Sequence, residues 1–213
     1  MLYLDEVFLS LQGESTDTGL PCIFVRLYGC PIGCSYCDQP QTIKNKHKAS
    51  IATVVNKVKR YKEIPRVCIT GGEPLIYKDE VLSLVWELQY EGFTVSIETS
   101  GCLPIEKDVY RRSYKYIMDV KCPSSGVVHK NIYENLLKLN SRDEVVFVIA
   151  DIKDYEFMKH TLKTYPTSAQ ILLSPMFDKN NKNVIGKELV DWVLKDKLNC
   201  RVQIQLHKIL GVK

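Results

Sequence analysis

The feature that most constrains this chain is a repeated alternation of short apolar runs with longer amphipathic ones. Residues 23–28, 66–70, 94–98, 116–120, 144–150, 169–173 and 201–206 are rich in Val, Ile, Phe and Tyr, as buried strands are. An extended stretch, 3–11, precedes them. Residues 50–62, 78–91, 130–139, 153–164 and 186–197 between them read as helices. Ser50 is placed to cap the first helix, whose Ile51, Val54, Val55 and Val58 fall on one face. Val81, Leu82, Val85 and Leu88 do the same in the second. Strand–helix units of this period build a parallel sheet through right-handed crossovers. About six parallel strands predict an α/β fold, an incomplete (β/α) barrel, in a single domain spanning 1–213. Ligands of such folds gather at the C-terminal ends of the strands, so a functional motif should directly follow a strand.

Composition narrows the class of protein. Of 213 residues, 45% are hydrophobic and 25% charged, close to ordinary globular usage. A net charge of +4 is too small to mark a nucleic-acid binder. The densest basic run, Lys44 to Lys48, reads as a solvated loop. Residues 1–6 hold two acids and no basic segment, unlike a secretory signal. No apolar run reaches the ~18 residues of a membrane span. A cytoplasmic protein with reduced thiols is expected.

Eight cysteines then need a use. Cys22, Cys68, Cys102, Cys122 and Cys200 are scattered and read as structural. Cys30, Cys34 and Cys37 are not scattered. They follow strand 23–28 in a C-x3-C-x2-C loop that also holds Gly29, Pro31 and Gly33. Three thiolates are one too few for a closed four-ligand site, and an open position marks reactive rather than structural metal. A four-iron cluster with one open iron fits. A zinc loop completed by Cys22 or His47 is the competing reading.

Further motifs end later strands. Strand 66–70, closing on Thr70, leads into Gly71-Gly72-Glu73-Pro74, where paired glycines admit a ligand to the backbone and Glu73 offers an acceptor for an ammonium group. Strand 94–98 ends in Glu98-Thr99-Ser100-Gly101. Strand 116–120 ends in Asp119-Val120-Lys121, where Lys121 suits a carboxylate. Strand 169–173 runs into Ser174-Pro175-Met176-Phe177, an apolar lip able to cover a base.

Together, the cysteine triplet with Tyr36 before its last member, and the GGEP turn after the next strand, resemble the radical S-adenosylmethionine (SAM) superfamily. The resemblance implies a [4Fe–4S] cluster on Cys30, Cys34 and Cys37, with SAM chelating the open iron. One electron then cleaves SAM, and the adenosyl radical abstracts hydrogen from a substrate. Tyr36, Cys37, Asp38, Gly72, Glu73, Thr99, Ser100, Asp119, Val120, Lys121, Ser174, Pro175, Met176 and Phe177 would contact SAM.

The first thirty residues sharpen this reading. Ser10-Leu11-Gln12-Gly13-Glu14, then Gly19-Leu20-Pro21 and Phe24-Val25-Arg26-Leu27, resemble the 7-carboxy-7-deazaguanine synthase family over nearly the whole chain. That family converts 6-carboxy-5,6,7,8-tetrahydropterin to 7-carboxy-7-deazaguanine and ammonia, in queuosine and 7-deazapurine biosynthesis. The resemblance implies that Leu11, Gln12, Gly13, Glu14, Arg26 and Thr70 bind the pterin, and that His207 and Lys213 close over it. It also implies Mg2+, a reductant such as flavodoxin or ferredoxin, and a homodimer. Relatives carry Thr or Ser after Cys-Asp as the Mg2+ ligand; here Gln39 stands there, and Thr42 is the other candidate. Arg26, charged within an apolar strand, is expected to have a partner, with Glu14 the nearest in motif. Two alternatives remain at this point: a glycyl-radical-enzyme activase, and a non-catalytic iron–sulfur or zinc module.

Overall fold

The computed structural model describes residues 1–37, 46–105, 114–178 and 184–213. Its centre is a nine-stranded sheet. In chain order the strands are β1 (Leu2–Leu11), β2 (Pro21–Leu27), β3 (His47–Ala49), β4 (Arg66–Gly71), β5 (Thr94–Thr99), β6 (Tyr114–Asp119), β7 (Glu144–Ile149), β8 (Gln170–Pro175) and β9 (Arg201–Val202). The spatial order is β3-β1-β2-β4-β5-β6-β7-β8-β9, so β3 and β9 are unjoined edges. From β2 through β4 to β9 every neighbouring pair is parallel, while β1 runs antiparallel to both β2 and β3. This is the open barrel expected, with an antiparallel flap at one edge.

Four helices follow strands as crossovers or flanks: α1 (Ile51–Val58), α2 (Lys78–Tyr90), α3 (Ile152–Thr164) and α4 (Gly186–Asp196). A short α5 spans Leu206–Leu210. Ser50 does cap α1, its hydroxyl accepting from the Thr53 amide at 3.1 Å. Val54, Val55 and Val58 of α1, and Val81, Leu84, Val85 and Leu88 of α2, are buried against the sheet. Burying each such side chain is worth roughly 1.5–3 kcal/mol before chain entropy is counted.

Strand parity explains the rest. Side chains alternate between the two faces. Ile23, Val25 and Leu27 of β2, Val67 and Ile69 of β4, Val95 and Ile97 of β5, and Val145, Phe147 and Ile149 of β7 all join the large core under the helices. The residues between them face the barrel interior, which is where polar side chains appear.

Three expectations need correction. Residues 130–139 form 3-10 turns, Val128–Lys130 and Tyr133–Lys138, not an α-helix. Asn135 pins that segment: its fully buried amide accepts from Ile105 N and donates to the carbonyls of Gly101 and Leu103. The strand expected at 201–206 stops at Val202, and Leu206 already begins α5. Part of the basic run, His47 and Lys48, is not loop but edge strand β3, paired with Leu2–Leu4.

Candidate active site

One cavity of about 310 Å3 opens at the C-terminal ends of the parallel strands. Its walls come from the interior-facing positions of the sheet: Phe24 and Arg26 on β2, Thr70 on β4, Glu98 on β5, Ile117 and Asp119 on β6, and Val146 and Val148 on β7. The cysteine loop after β2 contributes Cys30, Cys34, Tyr36 and Cys37. The segment Leu11–Glu14, together with Gln205, His207 and Lys213, completes the rim.

The cysteine loop lies against the GGEP turn through a backbone approach that only glycine permits. A Cβ on Gly72 would stand 1.8 Å from the Gly29 carbonyl oxygen. In its absence Gly72 N donates to Leu27 O at 2.9 Å, and Glu73 N donates to Gly29 O at 2.7 Å. From the other side Ser35 is held by the loop after β6: its amide donates to Ser125 O at 3.0 Å and its hydroxyl to Ser124 O at 2.9 Å. Cys30 and Cys37 are exposed and Cys34 half-buried, and none of the three is in a disulfide. Burial pushes the Cys34 thiol up, against the pull of nearby Lys121.

Glu73 does not present its side chain to the cavity. It is fully buried, and both oxygens are occupied. Oε1 accepts from Leu75 N at 3.0 Å and Thr99 Oγ1 at 2.7 Å; Oε2 accepts from Ser100 N at 2.8 Å and from the Ser100 hydroxyl. A carboxylate has about four lone-pair sites, and here each is filled from within. Glu73 therefore ties the GGEP turn to the end of β5. Its expected role as acceptor for an ammonium group is corrected; Gly72, beside it, does line the cavity.

Other expected SAM contacts divide into those that reach the cavity and those that do not. Tyr36, Cys37, Gly72, Thr99, Ser100, Asp119, Lys121, Met176 and Phe177 line the cavity. Val120 and Pro175 do not: Val120, just past β6, is buried in the core under the helices, and Pro175 is buried at the end of β8. Ser174 is wholly buried and takes a hydrogen bond from Gln203 Nε2 at 3.0 Å. Asp38, Gln39 and Thr42 lie outside the described residues. Lys121 is ion-paired with Asp119. Burial works against the Lys121 charge, but Asp119 and the Cys34 sulfur outweigh it and hold the ammonium above its usual range. The second oxygen of Asp119 is buried with no hydrogen-bond partner, as is the Tyr36 hydroxyl.

All eight residues expected at the pterin, Leu11, Gln12, Gly13, Glu14, Arg26, Thr70, His207 and Lys213, line this same cavity. Arg26 pairs with Glu6 at 3.0 Å rather than with Glu14, because register sets Glu6 directly across from it on β1. Glu14 instead accepts from Gln205 Nε2 at 2.6 Å. The rim is tightly closed at Gly13, where a Cβ would lie 2.0 Å from His207 Nδ1, and where the carbonyl accepts from Leu206 N at 2.9 Å. Ser10 Oγ donates to Lys213 O at 2.6 Å.

Glu98, expected only as part of a strand-end motif, and Gln205, which was given no role, also line the cavity. Glu98 gathers two expected residues, accepting from Gln12 Nε2 at 3.1 Å and from Thr70 Oγ1 at 2.7 Å. Ser96 and Glu98 are polar at alternate positions of a buried parallel strand, and that period of two is the signal that could have found Glu98.

Fold and cysteine loop together define the class: residues 24–121 match the family model of the Radical SAM superfamily. A 7-carboxy-7-deazaguanine synthase of Methanospirillum hungatei is 40% identical over 208 residues, covering 97% of this chain and 84% of that protein. One from Koribacter versatilis is 37% identical over 223 residues, covering 98% and 96%. The crystal structure of QueE from Escherichia coli matches with a TM-score of 0.73 at 26% identity, covering 97% of this chain and 94% of that one. The chain belongs to the 7-carboxy-7-deazaguanine synthase family.

A [4Fe–4S] cluster and SAM are the cofactors of this class, and the residues present fit them. Three thiols stand on one loop at the cavity wall, beside a buried carboxylate oxygen and a phenol that lack partners. Among the described residues no three His, Cys, Asp or Glu side chains converge on one point. A four-iron cluster needs no such convergence, since each thiolate binds a different iron.

Proposed function

We propose that this protein is a radical SAM carbon–nitrogen lyase that converts 6-carboxy-5,6,7,8-tetrahydropterin to 7-carboxy-7-deazaguanine with loss of ammonia, for queuosine or related 7-deazapurines. The observation that carries the reading is the single cavity in which the cysteine loop and the Leu11–Glu14, Arg26 and Thr70 positions meet. Cys30, Cys34 and Cys37 would hold the cluster, which together with SAM would supply radical hydrogen-atom abstraction.

The residues divide the remaining work. Tyr36, Cys37, Gly72, Asp119 and Lys121 flank SAM, with Asp119 offering its unpaired oxygen to a hydroxyl donor and Lys121 its charge to a carboxylate. Met176 and Phe177 give the apolar cover. Arg26, held by Glu6, orients the carboxylate of the substrate. Gln12, Glu14 and Thr70 read the ring, and His207 with Lys213 closes the site against water. Placement matters more than acid–base chemistry here, because the cofactor carries the difficult step.

Mg2+ belongs to the same proposal as an aid to substrate oxygens. Its candidate ligands, Gln39 and Thr42, lie outside the described residues. A flavodoxin- or ferredoxin-type reductant, a homodimer, and a cytoplasmic setting without nucleic acid or membrane belong to the same proposal. No helix among the described residues is long and apolar enough to cross a membrane. The activase and the non-catalytic module leave the Gln12, Glu98 and Thr70 cluster in the cavity without a use.

The test is anaerobic. The protein is reconstituted with iron and sulfide, reduced, and given SAM, Mg2+ and 6-carboxytetrahydropterin. Product that requires SAM, without matching release of 5′-deoxyadenosine, is expected by mass spectrometry. SAM cleavage without product would return the activase reading. Absence of a cluster would remove the radical reading altogether.

A further inference from the structure

Beneath the cavity lies an ion pair, its carboxylate fully buried and its ammonium half-buried, that none of the site residues uses. Lys115 on β6 and Glu144 on β7 share the interior face with Ile117 and Asp119, and with Val146 and Val148. Those four line the cavity; Lys115 and Glu144 sit one step lower and do not. Ile117, Val146 and Leu172 pack into a small apolar cluster that forms the floor between them and the cavity. Glu144 is fully buried, and the Lys115 ammonium reaches it at 2.5 Å.

A fully buried carboxylate and a half-buried ammonium under an apolar floor are costly to desolvate unless their remaining bonding capacity is filled. It is filled by a loop, not by the sheet. Thr16 N donates to Glu144 Oε2 at 3.1 Å, and Thr16 Oγ1 donates to Glu144 Oε1 at 2.5 Å. Lys115 Nζ also donates to Thr16 Oγ1 at 3.0 Å and pairs with Asp17 at 2.9 Å. The loop from Gln12 to Leu20 is closed on itself by Gln12 N to Leu20 O and Gly19 N to Gln12 O. At its centre Ser15 takes φ +71°, a left-handed conformation that non-glycine residues rarely adopt. Buried Ser15 holds that turn through its hydroxyl, which accepts from Asp17 N at 3.1 Å, and its carbonyl, which accepts from Thr18 Oγ1 at 2.6 Å.

The segment Leu11–Glu14 that rims the cavity is therefore the upper half of a loop whose lower half is anchored inside the barrel. We propose that Lys115 and Glu144 are positioning residues: through Thr16 and Asp17 they set the place of Gln12, Gly13 and Glu14 at the substrate. Among the described residues, neither the cysteine loop nor the GGEP turn on the cofactor side has a hydrogen bond or ion pair to this anchor; Asp119 shares β6 with Lys115 but is held there by the sheet itself. The inference predicts a selective effect, on the pterin and not on SAM. It rests on the functional reading above for the identity of the ligand, not for the anchoring itself.

Two measurements on the reconstituted holoenzyme test it, with Thr16→Val, Thr16→Ser and Lys115→Met. The first is hydrogen–deuterium exchange of the peptide covering 12–20. The second is steady-state kinetics with separate KM values for pterin and SAM. A misplacement of about 1 Å at a substrate-orienting group can cost up to about a hundredfold. For Thr16→Val, faster exchange over 12–20 and a pterin KM raised by about tenfold are expected. The SAM KM and the iron content should stay unchanged, and Thr16→Ser, which keeps the hydroxyl, should restore both readouts. Thr16→Val tests the claim even if Lys115→Met fails to fold. Unchanged exchange overturns the anchor. Faster exchange with an unchanged pterin KM, or with SAM and pterin affected alike, overturns the positioning role. A wild-type protein that turns over no pterin removes the functional reading instead, and the exchange data alone then support or overturn the anchor.

Discussion

Glu73→Gln separates a structural carboxylate from a ligand-binding one. The side chain keeps its volume but exchanges an accepting oxygen for a donating NH2. Each oxygen of Glu73 receives one backbone N–H and one hydroxyl: Leu75 N with Thr99 Oγ1, and Ser100 N with Ser100 Oγ. Whichever way the amide sits, the hydroxyl on the NH2 side can rotate and accept. The backbone N–H cannot, and it is left buried without a partner at about 1–3 kcal/mol. The two bonds kept by the remaining oxygen lose their charge assistance, about 1 kcal/mol each. The total is about 3–5 kcal/mol, a large share of the ~5–15 kcal/mol that holds an ordinary domain together. For a chain of this size that lowers Tm by roughly 6–20 °C. Calorimetry of the anaerobic, cluster-free protein measures it, with SAM affinity of the reconstituted variant in parallel. A Tm within about 2 °C of wild type, with SAM affinity lost, would refute the reasoning and restore Glu73 as a direct ligand.

Gly72→Ala places a methyl 1.8 Å from the Gly29 carbonyl oxygen, so the cysteine loop must move. Iron content and cluster absorbance should fall sharply, and unchanged iron per chain would contradict the packing described. Arg26→Gln removes the ion pair to Glu6 on the cavity wall. The pterin KM should rise about ten- to a hundredfold while SAM affinity holds, by steady-state assay. Burial, aided by Glu98 and Asp17, pushes the Cys22 thiol from 9.0 up to about 12. The folded chain therefore keeps a proton there that the unfolded chain releases, so stability is full below about pH 9 and falls as pH rises toward about 12. Cys22→Ala should flatten that fall by up to about 1.4 kcal/mol per pH unit in denaturant titrations.

What could be read from the chain was whatever is local. The C-x3-C-x2-C loop and the GGEP turn each occupy a few consecutive residues after a strand, and the three cysteines with Gly71 and Gly72 line the cavity. Parity within strands was also available and was underused. It brings Glu98 into the cavity, although neighbours in sequence look equally suited. Pairing between distant residues was not available. Arg26 finds Glu6 through the β1–β2 register, and Glu73 turns to Thr99 and Ser100 across twenty-six and twenty-seven positions. Strand β3 was hidden by its charges, which suit an exposed edge but resemble a loop. Residues 130–139 carry helical spacing, yet the buried Asn135 amide rewards a tighter path.

The closure of the rim has a consequence in time. Gln205 meets Glu14 across 191 positions, Ser10 meets the Lys213 carbonyl across 203, and the Lys213 ammonium meets Glu6 across 207. Contacts this distant in sequence carry the largest loop-closure entropy and form late. During synthesis the segment 205–213 leaves the ribosome after every strand of the sheet has already emerged. For that interval the substrate side of the cavity lacks its final wall, whereas Cys30 and Cys37 are exposed with or without it. The order of assembly follows from chain connectivity: the substrate rim is the part of the cavity that takes shape after the sheet and the cysteine loop are in place.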